Sequence, residues 1–384
     1  MAGLVPVKVA LLSDCYAPRL GGIEVQTHDL AQQLSAAGHD VEVFTATGRP
    51  GVSRSSVPTL EDGLTVHRFD LGLPGGIPIN PFATREVGRR LRAGEFDVAH
   101  VQMGVVSPFA VDMARVALRA GVPTAVTWHC VIDGSAPLHR LLGYADRWAQ
   151  RGAALSAVSG MAADRVRRLL SPQRRVAVLP NGIDVSRWRP RADRPEVPVE
   201  PVRIVLAQRL ARRKRPEAAL DVLLRARELT PARVPLRADL IGDGPMRGPL
   251  QRRIDAVGAD WIRLPGRLTR RDLRERHWRS HIFVSASRLE AFGIAALEAR
   301  TAGLAVVART GTGHQDFVFH GQTGLLADSD EGLAAAVAQL ASEPALLRRI
   351  QRHNLRVAPP QDWGHVVTTA LAEYRRAHDQ AVSR

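Results

Sequence analysis

Two glutamates, Glu290 and Glu298, are the side chains of this sequence whose types and spacing most clearly suggest chemistry. Glu290 follows an apolar segment that ends at Ser285, and a helical pattern begins shortly after it. We expect Glu298 to lie about two turns into that helix, at about 3.6 residues per turn. A helix N-terminus offers unpaired N–H groups and partial positive charge, so it favours an anionic or polyhydroxylated ligand. Taken alone, the pattern is equally typical of a helix cap and a solvated glutamate, and both interpretations stay open here.

Further candidates lie in two other segments. Arg209 and Lys214 belong to a cluster of basic residues, and cations of this kind stabilise a leaving group that gains negative charge. Lys214 has the alternative interpretation of a lysine in a solvated basic turn. Gly21 and Gly22 follow the first apolar segment, where glycines permit a tight turn and close passage of the backbone past a phosphate or an acceptor.

His129 ends an apolar segment, and a strand end is where ligands of α/β domains bind, although a structural histidine is the alternative. His129 and Cys130 lack the second pair of ligands that a zinc site needs. The acids of Asp328-Ser329-Asp330 have the spacing of an Asp-x-Asp metal motif, but a helical pattern follows and we interpret them as helix-capping residues. We therefore expect no metal and no cofactor.

The elements that position these residues alternate along the chain. Residues 7–12 form a continuous apolar run, as in a strand buried on both faces of a parallel sheet, and a helical pattern follows at 23–37. Further strands are expected at 41–45, 98–101, 124–128, 155–158 and 176–179, and then at 204–207, 237–241, 262–264, 282–285 and 305–308. This alternation predicts an α/β fold of two doubly wound Rossmann-like domains.

The predicted domains are residues 1–186 and 203–360, joined by a proline-rich linker at 187–202, with a C-terminal helix at 361–384 that crosses back to the first domain. A chain of 384 residues suits two domains of under about 200 residues each. Its two cysteines exclude a disulfide framework. No apolar run approaches the roughly 18 residues of a membrane span, and no signal peptide is visible. We expect a cytoplasmic protein, with peripheral attachment to the inner face of the plasma membrane left open.

The formal net charge is +15, and 51 of the 53 basic residues are arginine. Coding bias explains so one-sided a usage more simply than a binding function does. No zinc-finger spacing, aromatic RNA-binding strand or recognition helix is present, so we expect no nucleic-acid partner. A diphosphate site, or anionic phospholipid, would use a few of the basic residues between Arg203 and Arg279.

Together these segments resemble retaining glycosyltransferases of family 4, which have the GT-B fold. The N-terminal half is most similar to bacterial glycosyltransferases of the phosphatidylinositol glycosyltransferase type. The resemblance covers nearly the whole chain and is carried by Gly21-Gly22-Ile23-Glu24, the Arg209-x4-Lys214 pair and the Glu290-x7-Glu298 pair. It implies an acceptor-side domain and a nucleotide-sugar-binding domain that face each other across a cleft.

The resemblance also implies roles for individual residues. The catalytic set would be Glu290, Arg209, Lys214 and His129. Donor contacts would come from Glu298, Gly293, Ile294, Phe292, Gly242 and Arg267, and Gly21 and Gly22 would form the acceptor or phosphate loop. Asn181-Gly182 resembles a hinge segment of the family, where we expect a positive φ. Two departures are visible: Gln208 stands where the family usually has Gly, and the segment 311–316 lacks a Glu.

The implied reaction moves a sugar from GDP-mannose or a UDP-sugar to an acceptor hydroxyl without a metal. The acceptor would be a lipid or lipid-linked molecule of cell-envelope glycolipid synthesis. A soluble polyol or polysaccharide acceptor is an alternative, as is a sugar-nucleotide epimerase on the same fold. Nothing in the sequence indicates the oligomeric state.

Overall fold

The computed structural model describes residues 5–19, 21–49, 57–73, 77–133, 142–191 and 200–383. The chain divides into two compact units. The first contains the residues up to Gly182 and those from Trp363 onward, and the second contains Ile183–Asp362.

The first unit is built on a mostly parallel sheet with the strand order β3-β4-β2-β1-β5-β6-β7-β8, in which β3 alone runs antiparallel to its neighbour among the described strands. Its strands are β1 Lys8–Ser13, β2 Asp40–Thr45, β3 Thr59–Glu61, β4 Leu64–Arg68, β5 Val98–Met103, β6 Thr124–Trp128, β7 Ala154–Ala157 and β8 Val176–Val178. Its helices up to this point are α1 Gly22–Ala36, α2 Ala83–Ala93, α3 Pro108–Arg119, α4 Tyr144–Gln150 and α5 Gly160–Arg167. Chain order reverses between β1 and β5, which is where a doubly wound sheet opens a crevice for a ligand.

The second unit has the strand order β11-β10-β9-β12-β13-β14, and all of its strand pairs are parallel. These strands are β9 Val202–Ala207, β10 Leu236–Ile241, β11 Ile262–Gly266, β12 Ile282–Ser285, β13 Ala305–Arg309 and β14 Gly324–Ala327. Its helices are α6 Val185–Trp188, α7 Pro216–Leu229, α8 Arg247–Ala256, α9 Arg270–Trp278, α10 Ile294–Thr301, α11 Asp330–Ser342 and α12 Pro344–Arg356. The order reverses between β9 and β12, so the carboxyl ends of these two strands frame the expected ligand crevice.

The C-terminal helix, α13 Trp363–Val382, packs on the first unit, where Trp363, Val366 and Leu371 are buried with Val9 and Leu11 of β1. A buried polar chain adds to this apolar contact. Tyr374 Oη lies 2.9 Å from His100 Nδ1, His100 Nε2 lies 2.7 Å from Thr127 Oγ1, and Thr127 Oγ1 lies 2.8 Å from Ser156 Oγ.

The direction of this chain follows from its far end, where Ser156 donates to the carbonyl of Val126. Thr127 Oγ1 then donates to Ser156 Oγ. His100 Nε2 donates to Thr127 Oγ1, and Tyr374 Oη donates to His100 Nδ1. Burial, with a smaller effect of His129, lowers the pKa of His100 to about 3, so the ring is neutral at pH 7, as the chain requires.

The mixed α/β class with two parallel-sheet domains is as predicted, and strands 124–128 and 282–285 have the predicted bounds. The sequence pattern does not predict β3, β4 and β14; β3 and β14 lie at sheet edges, and β4 is the strand next to β3. The proline-rich segment 187–202 holds the end of α6 and the start of β9. Its residues 192–199 lie outside the described residues.

Candidate active site

The turn between β12 and α10 carries Glu290 and ends at Gly293, which precedes the first helical residue, Ile294. Gly293 has φ +96°, a left-handed conformation that side chains rarely adopt, so glycine is required here. No backbone–backbone hydrogen bond occupies the N–H groups of Gly293 and Ile294 within the described residues. The helix therefore presents free donors beside Glu290.

Lys214 contacts this turn and comes from the segment after β9, the strand next to β12 at the switch point. It closes a short 3-10 helix, Arg212–Lys214, that follows β9, and its Nζ lies 2.5 Å from Glu290 Oε2. Burial alone would raise the pKa of Glu290, but Lys214 and His314, with a smaller effect of Arg213, hold the pKa below its usual range. Glu290 is therefore a carboxylate at neutral pH.

The predicted diphosphate residue Arg209 lies just after β9 and is exposed. No described side chain forms a hydrogen bond or ion pair with it. Gly242, at the end of β10, has φ +141°, and a Cβ there would lie 1.8 Å from the carbonyl oxygen of Gln208. Glycine at position 242 therefore lets the backbones of Gly242 and Gln208 approach this closely. Arg267, directly after β11, is also exposed.

Two donor residues lie differently from the sequence expectation. Glu298 was expected about two turns into the helix, but α10 begins at Ile294, so Glu298 lies little more than one turn in. It is 9% exposed. The ring of Phe292 is buried against Phe317, with centroids 5.3 Å apart, so this residue presents only its backbone to a ligand.

His314 is a residue that sequence reasoning missed. Its ring is buried against Gly293, and its Nδ1 lies 2.8 Å from Thr312 Oγ1. In the sequence, the segment 311–316 stands out only for the Glu it lacks. A histidine between Gly313 and a buried apolar pair, Phe317 and Val318, was the available signal, but only the fold places it beneath the turn of Glu290.

Asp330 belongs to a cluster of ion pairs with two arginines. It accepts hydrogen bonds from Arg215 and Arg309, and the cap of α11 is Ser329, whose Oγ accepts from Gly332 N. The helix cap is thus Ser329, the serine between the two acids, and the prediction that Asp328 and Asp330 cap the helix is wrong. Within the described parts of the chain, no three His, Cys, Asp or Glu side chains form a group that could hold a metal ion.

In the first unit, Gly21 and Gly22 lie at the start of α1, after β1 and therefore at the switch point. A Cβ on Gly21 would lie 2.3 Å from Glu24 Oε2, so the side chain of Glu24 folds back over the glycine. Glu24 is buried and lies 3.6 Å from Arg19 Nε. The absence of a side chain at Gly21 is what lets Glu24 lie against the helix start.

His129 directly follows β6, and its Nε2 donates to Gln102 Oε1 at 2.5 Å. Burial lowers the pKa of His129 to about 4, against the opposite effect of a hydrogen bond with Asn181. The ring is therefore neutral at pH 7 and fixed by two side chains.

Asn181-Gly182 does not have the positive φ that we expected. Gly182 is instead required by space, since a Cβ there would lie 2.4 Å from the ring of Trp363. The side chain of Gln26 accepts from Gly182 N at 2.8 Å and donates to Gly182 O at 3.0 Å, which fixes the segment. Packing against α13 and α1, not turn chemistry, thus selects this glycine.

Two family models match the chain. One is described as Glycosyltransferase Family 4 and matches residues 20–187, and the other is described as Glycosyl transferases group 1 and matches residues 191–356. The chain belongs to glycosyltransferase family 4. The resemblance seen in the sequence motifs is thus confirmed, and the two matches follow the two parallel-sheet units.

This family 4 glycosyltransferase is 27% identical over 411 residues to a D-inositol 3-phosphate glycosyltransferase of Pseudarthrobacter chlorophenolicus, across 98% of this chain and 96% of that protein. It is 28% identical over 404 residues to a glycogen synthase of Mycobacterium tuberculosis, across 97% and 95% of the two chains. The crystal structure of HepE from Anabaena in complex with UDP and glucose superposes with a TM-score of 0.72 at 18% identity, covering 95% of this chain and 98% of that one. The fold is that of GT-B glycosyltransferases.

None of the helices described for this glycosyltransferase is long and apolar enough to cross a membrane.

Proposed function

We propose that this glycosyltransferase moves a sugar from a nucleoside diphosphate sugar to an acceptor hydroxyl, with retention of the anomeric configuration and without a metal ion. The observation that carries the proposal is the contact between Lys214 and Glu290 beside the open N-terminus of α10. HepE, which has the same fold, binds UDP with glucose and also UDP-glucose, and this supports a nucleotide-sugar donor.

Arg209 and Lys214 hold the diphosphate. Both follow β9 at the switch point, where phosphates bind in doubly wound sheets. Arg209 is exposed and has no described side-chain partner, so its guanidinium is available to a ligand. Lys214 supplies a compact ammonium that is already oriented by Glu290. Two such cations stabilise the negative charge that develops on the leaving diphosphate.

The sugar and the ribose bind along the turn and α10. Glu290 uses the oxygen not bound to Lys214 to accept hydrogen bonds from sugar hydroxyls, and the N–H groups of Gly293 and Ile294 donate to the same sugar. Glu298 accepts from the ribose hydroxyls. Phe292 contributes through its backbone, while Gly242 and Arg267 border the nucleotide.

The reaction is a front-face displacement. The bond between the anomeric carbon and the phosphate oxygen breaks, and its electrons stay on the diphosphate. The acceptor oxygen forms the new bond on the same face and gives its proton to the departing phosphate oxygen. The chain then needs no separate general base, consistent with Glu290 being held by Lys214 and with a neutral His129. Metal independence rests on Arg209 and Lys214, which supply the positive charge that a metal ion would otherwise bring.

The residues Gly21, Gly22 and His129 are proposed to serve the acceptor side. Neutral His129 can exchange a hydrogen bond with a hydroxyl but carries no charge to the reaction at pH 7. The backbone at Gly21 and Gly22 is exposed at the start of α1, where it can approach a hydroxyl or phosphate of the acceptor.

We propose that the acceptor is a lipid or lipid-linked molecule reached at a membrane surface. Phe82, 80% exposed, precedes α2, and Arg85, Arg89 and Arg92 are exposed along that helix at spacings of four and three residues, with Arg89 paired to Glu86. An exposed aromatic ring followed by a row of arginines suits an anionic lipid surface. The relative that acts on D-inositol 3-phosphate favours a soluble polyol phosphate as the second candidate acceptor.

A thermal-shift panel of UDP- and GDP-sugars tests the donor. A ligand at a hundred times its Kd stabilises the folded state by about 2.7 kcal/mol, so the correct nucleotide should give a clear increase in melting temperature. The variant Arg209→Ala serves as the matched control and should lose most of that increase. No shift with any sugar nucleotide would contradict the proposed sugar-nucleotide donor.

Acceptor class is tested with the donor that binds. Radiolabelled donor is incubated with vesicles that contain phosphatidylinositol, with free inositol phosphate or with glycogen, and the labelled product is identified. Label in the lipid fraction supports the first proposal, and label in inositol phosphate supports the second. Turnover of donor to a free sugar or epimer without any acceptor would support the epimerase alternative.

A further inference from the structure

The turn that holds Glu290 depends on a second segment, Thr312–His314. Gly313 N donates to Glu290 O at 2.8 Å, and a Cβ on Gly313 would lie 2.0 Å from Ala291 O. The two backbones therefore touch, and neither can move without the other.

His314 fills the space beneath the turn. Its side chain is 1% exposed, and a Cβ on Gly293 would lie 2.4 Å from both Cδ2 and Nε2 of the ring. The ring thus lies directly against Gly293, the residue whose left-handed φ of +96° starts α10. A smaller side chain at position 314 would leave a cavity at the point where the turn is most constrained.

The orientation of the ring is fixed by Thr312. The hydroxyl of Thr312 donates to Arg309 O at 2.7 Å, so its oxygen must accept from His314, whose Nδ1 lies 2.8 Å away. Nδ1 therefore carries the proton. Burial lowers the pKa of His314 to about 4, although Glu290 acts in the opposite direction, so the ring is neutral at pH 7.

We propose that His314 is a positioning residue for the donor sugar: held by Thr312, it fixes the Glu290–Gly293 turn and so directs Glu290 and the free N–H groups of α10. The part that concerns the sugar rests on the proposed function. The part that concerns the turn does not, because it follows from contacts within the chain itself. The nucleotide is held by other residues, so His314 should affect the sugar and not the diphosphate.

Three variants separate these effects. His314→Ala removes the ring, and His314→Asn keeps a donor near the position of Nδ1 and is the conservative rescue. Thr312→Val keeps the shape of the neighbour but removes the acceptor, which covers the case in which His314→Ala does not fold. The matched control is His281→Asn, because His281 is also buried and its Nδ1 accepts from Arg203 N at 2.9 Å, at the amino end of the strand that leads to the turn.

The first measurement is hydrogen–deuterium exchange of the ligand-free protein. We expect peptides covering residues 290–296 to exchange at least about tenfold faster in His314→Ala and Thr312→Val, and to recover in His314→Asn. The control variant His281→Asn should leave the exchange rates of these peptides unchanged. Unchanged exchange of the turn in a folded His314→Ala, or a uniform loss of protection over the second unit, would overturn the proposal.

The second measurement compares Kd for UDP-glucose with UDP, and for GDP-mannose with GDP, by calorimetry. For the pair that binds wild type, we expect His314→Ala to weaken the sugar nucleotide about tenfold and to leave the bare nucleotide within about twofold, since one hydrogen bond to a charged group contributes about this much. Equal weakening of both would overturn the sugar-positioning role. If wild type bound neither pair, the proposed function would fail, and the exchange experiment would still decide whether His314 fixes the turn.

Discussion

Replacing Lys214 by Met gives the most direct test of the proposed chemistry, because this side chain contacts Glu290 and follows β9 at the switch point. The substitution removes one positive charge and keeps most of the apolar stem. Glu290 then loses its nearest cation. Since burial alone favours the protonated form, the pKa of Glu290 should rise toward or above its ordinary value.

Two magnitudes follow. An electrostatic group aimed at developing charge contributes about a hundredfold to a thousandfold to turnover, or roughly 3 to 4 kcal/mol of the barrier. Stability should change much less. The side chains of Lys214 and Glu290 are 33% and 19% exposed, so the pair is partly solvated and its loss should cost only about 1 kcal/mol. A large loss of kcat with a small change in Tm is thus the expected signature.

The chain offers a matched control in its other lysine, Lys8. Lys8 also pairs with a carboxylate, since its Nζ lies 3.4 Å from Glu42 Oε1, but it belongs to the amino end of β1 in the first unit. We would measure kcat, KM and urea unfolding for Lys214→Met, Lys214→Arg and Lys8→Met. Lys8→Met should keep wild-type kcat. The kcat of Lys214→Arg should lie between those of wild type and Lys214→Met, because a planar guanidinium replaces a compact ammonium. Wild-type kcat in Lys214→Met would refute the assignment of a diphosphate site to this position.

Four further outcomes test the structural reasoning. Gly242→Ala should lose at least about 3 kcal/mol of stability in urea unfolding, because its Cβ would lie 1.8 Å from the backbone oxygen of Gln208; a loss below about 1 kcal/mol would contradict the close approach. His277→Leu should raise Tm, because neither ring nitrogen of this fully buried residue has a partner among the described residues; a lower Tm would indicate a missed partner. Burial lowers the pKa of His277 to about 3 and that of His314 to about 4, both below the ordinary 6.5, so stability is full above pH 6.5 and falls as pH decreases. At pH 5.5 each of these two histidines should lower the unfolding free energy of the second unit by about 1.4 kcal/mol, measured by hydrogen exchange of its peptides. An unfolding free energy that stays constant from pH 7 to 5 would contradict this. Tyr374→Phe should cost about 1 kcal/mol by removing the hydrogen bond to His100, and an unchanged midpoint in urea would show that the bond contributes nothing.

Much of the fold follows from local pattern. Continuous apolar runs such as 124–128 and 282–285 are strands because a parallel sheet covered on both faces admits few polar side chains. Strands at or next to a sheet edge escape this reasoning. Leu64–Arg68 includes His67 and Arg68, whose side chains pair with Glu42 and Glu61, so the burial of charge that makes this strand possible is a tertiary effect.

The positions of the candidate site residues were predictable where they follow from strand ends. Lys214 and Glu290 each come just after a central strand, and the strand order brings those two strands together. His314 and the role of Gly182 were not predictable in this way. Both depend on what packs against a glycine: a histidine beneath Gly293 and the ring of Trp363 beside Gly182. A sequence shows that a glycine is present but not which neighbour excludes a side chain.

The large positive charge of the chain is a poor guide to the site, and the pairing of the cations explains why. Many arginines of the second unit are already matched, as in Arg225 with Glu331, Arg253 with Asp221 and Arg276 with Asp239. Such surface pairs contribute little to stability and present little net charge to a ligand. What distinguishes a diphosphate site is therefore a cation without a partner, or one held by a carboxylate that the substrate also needs. Under the proposed function, Arg209 meets the first criterion and Lys214 the second, so the two should fail differently: Arg209→Ala mainly in nucleotide affinity, and Lys214→Met mainly in turnover.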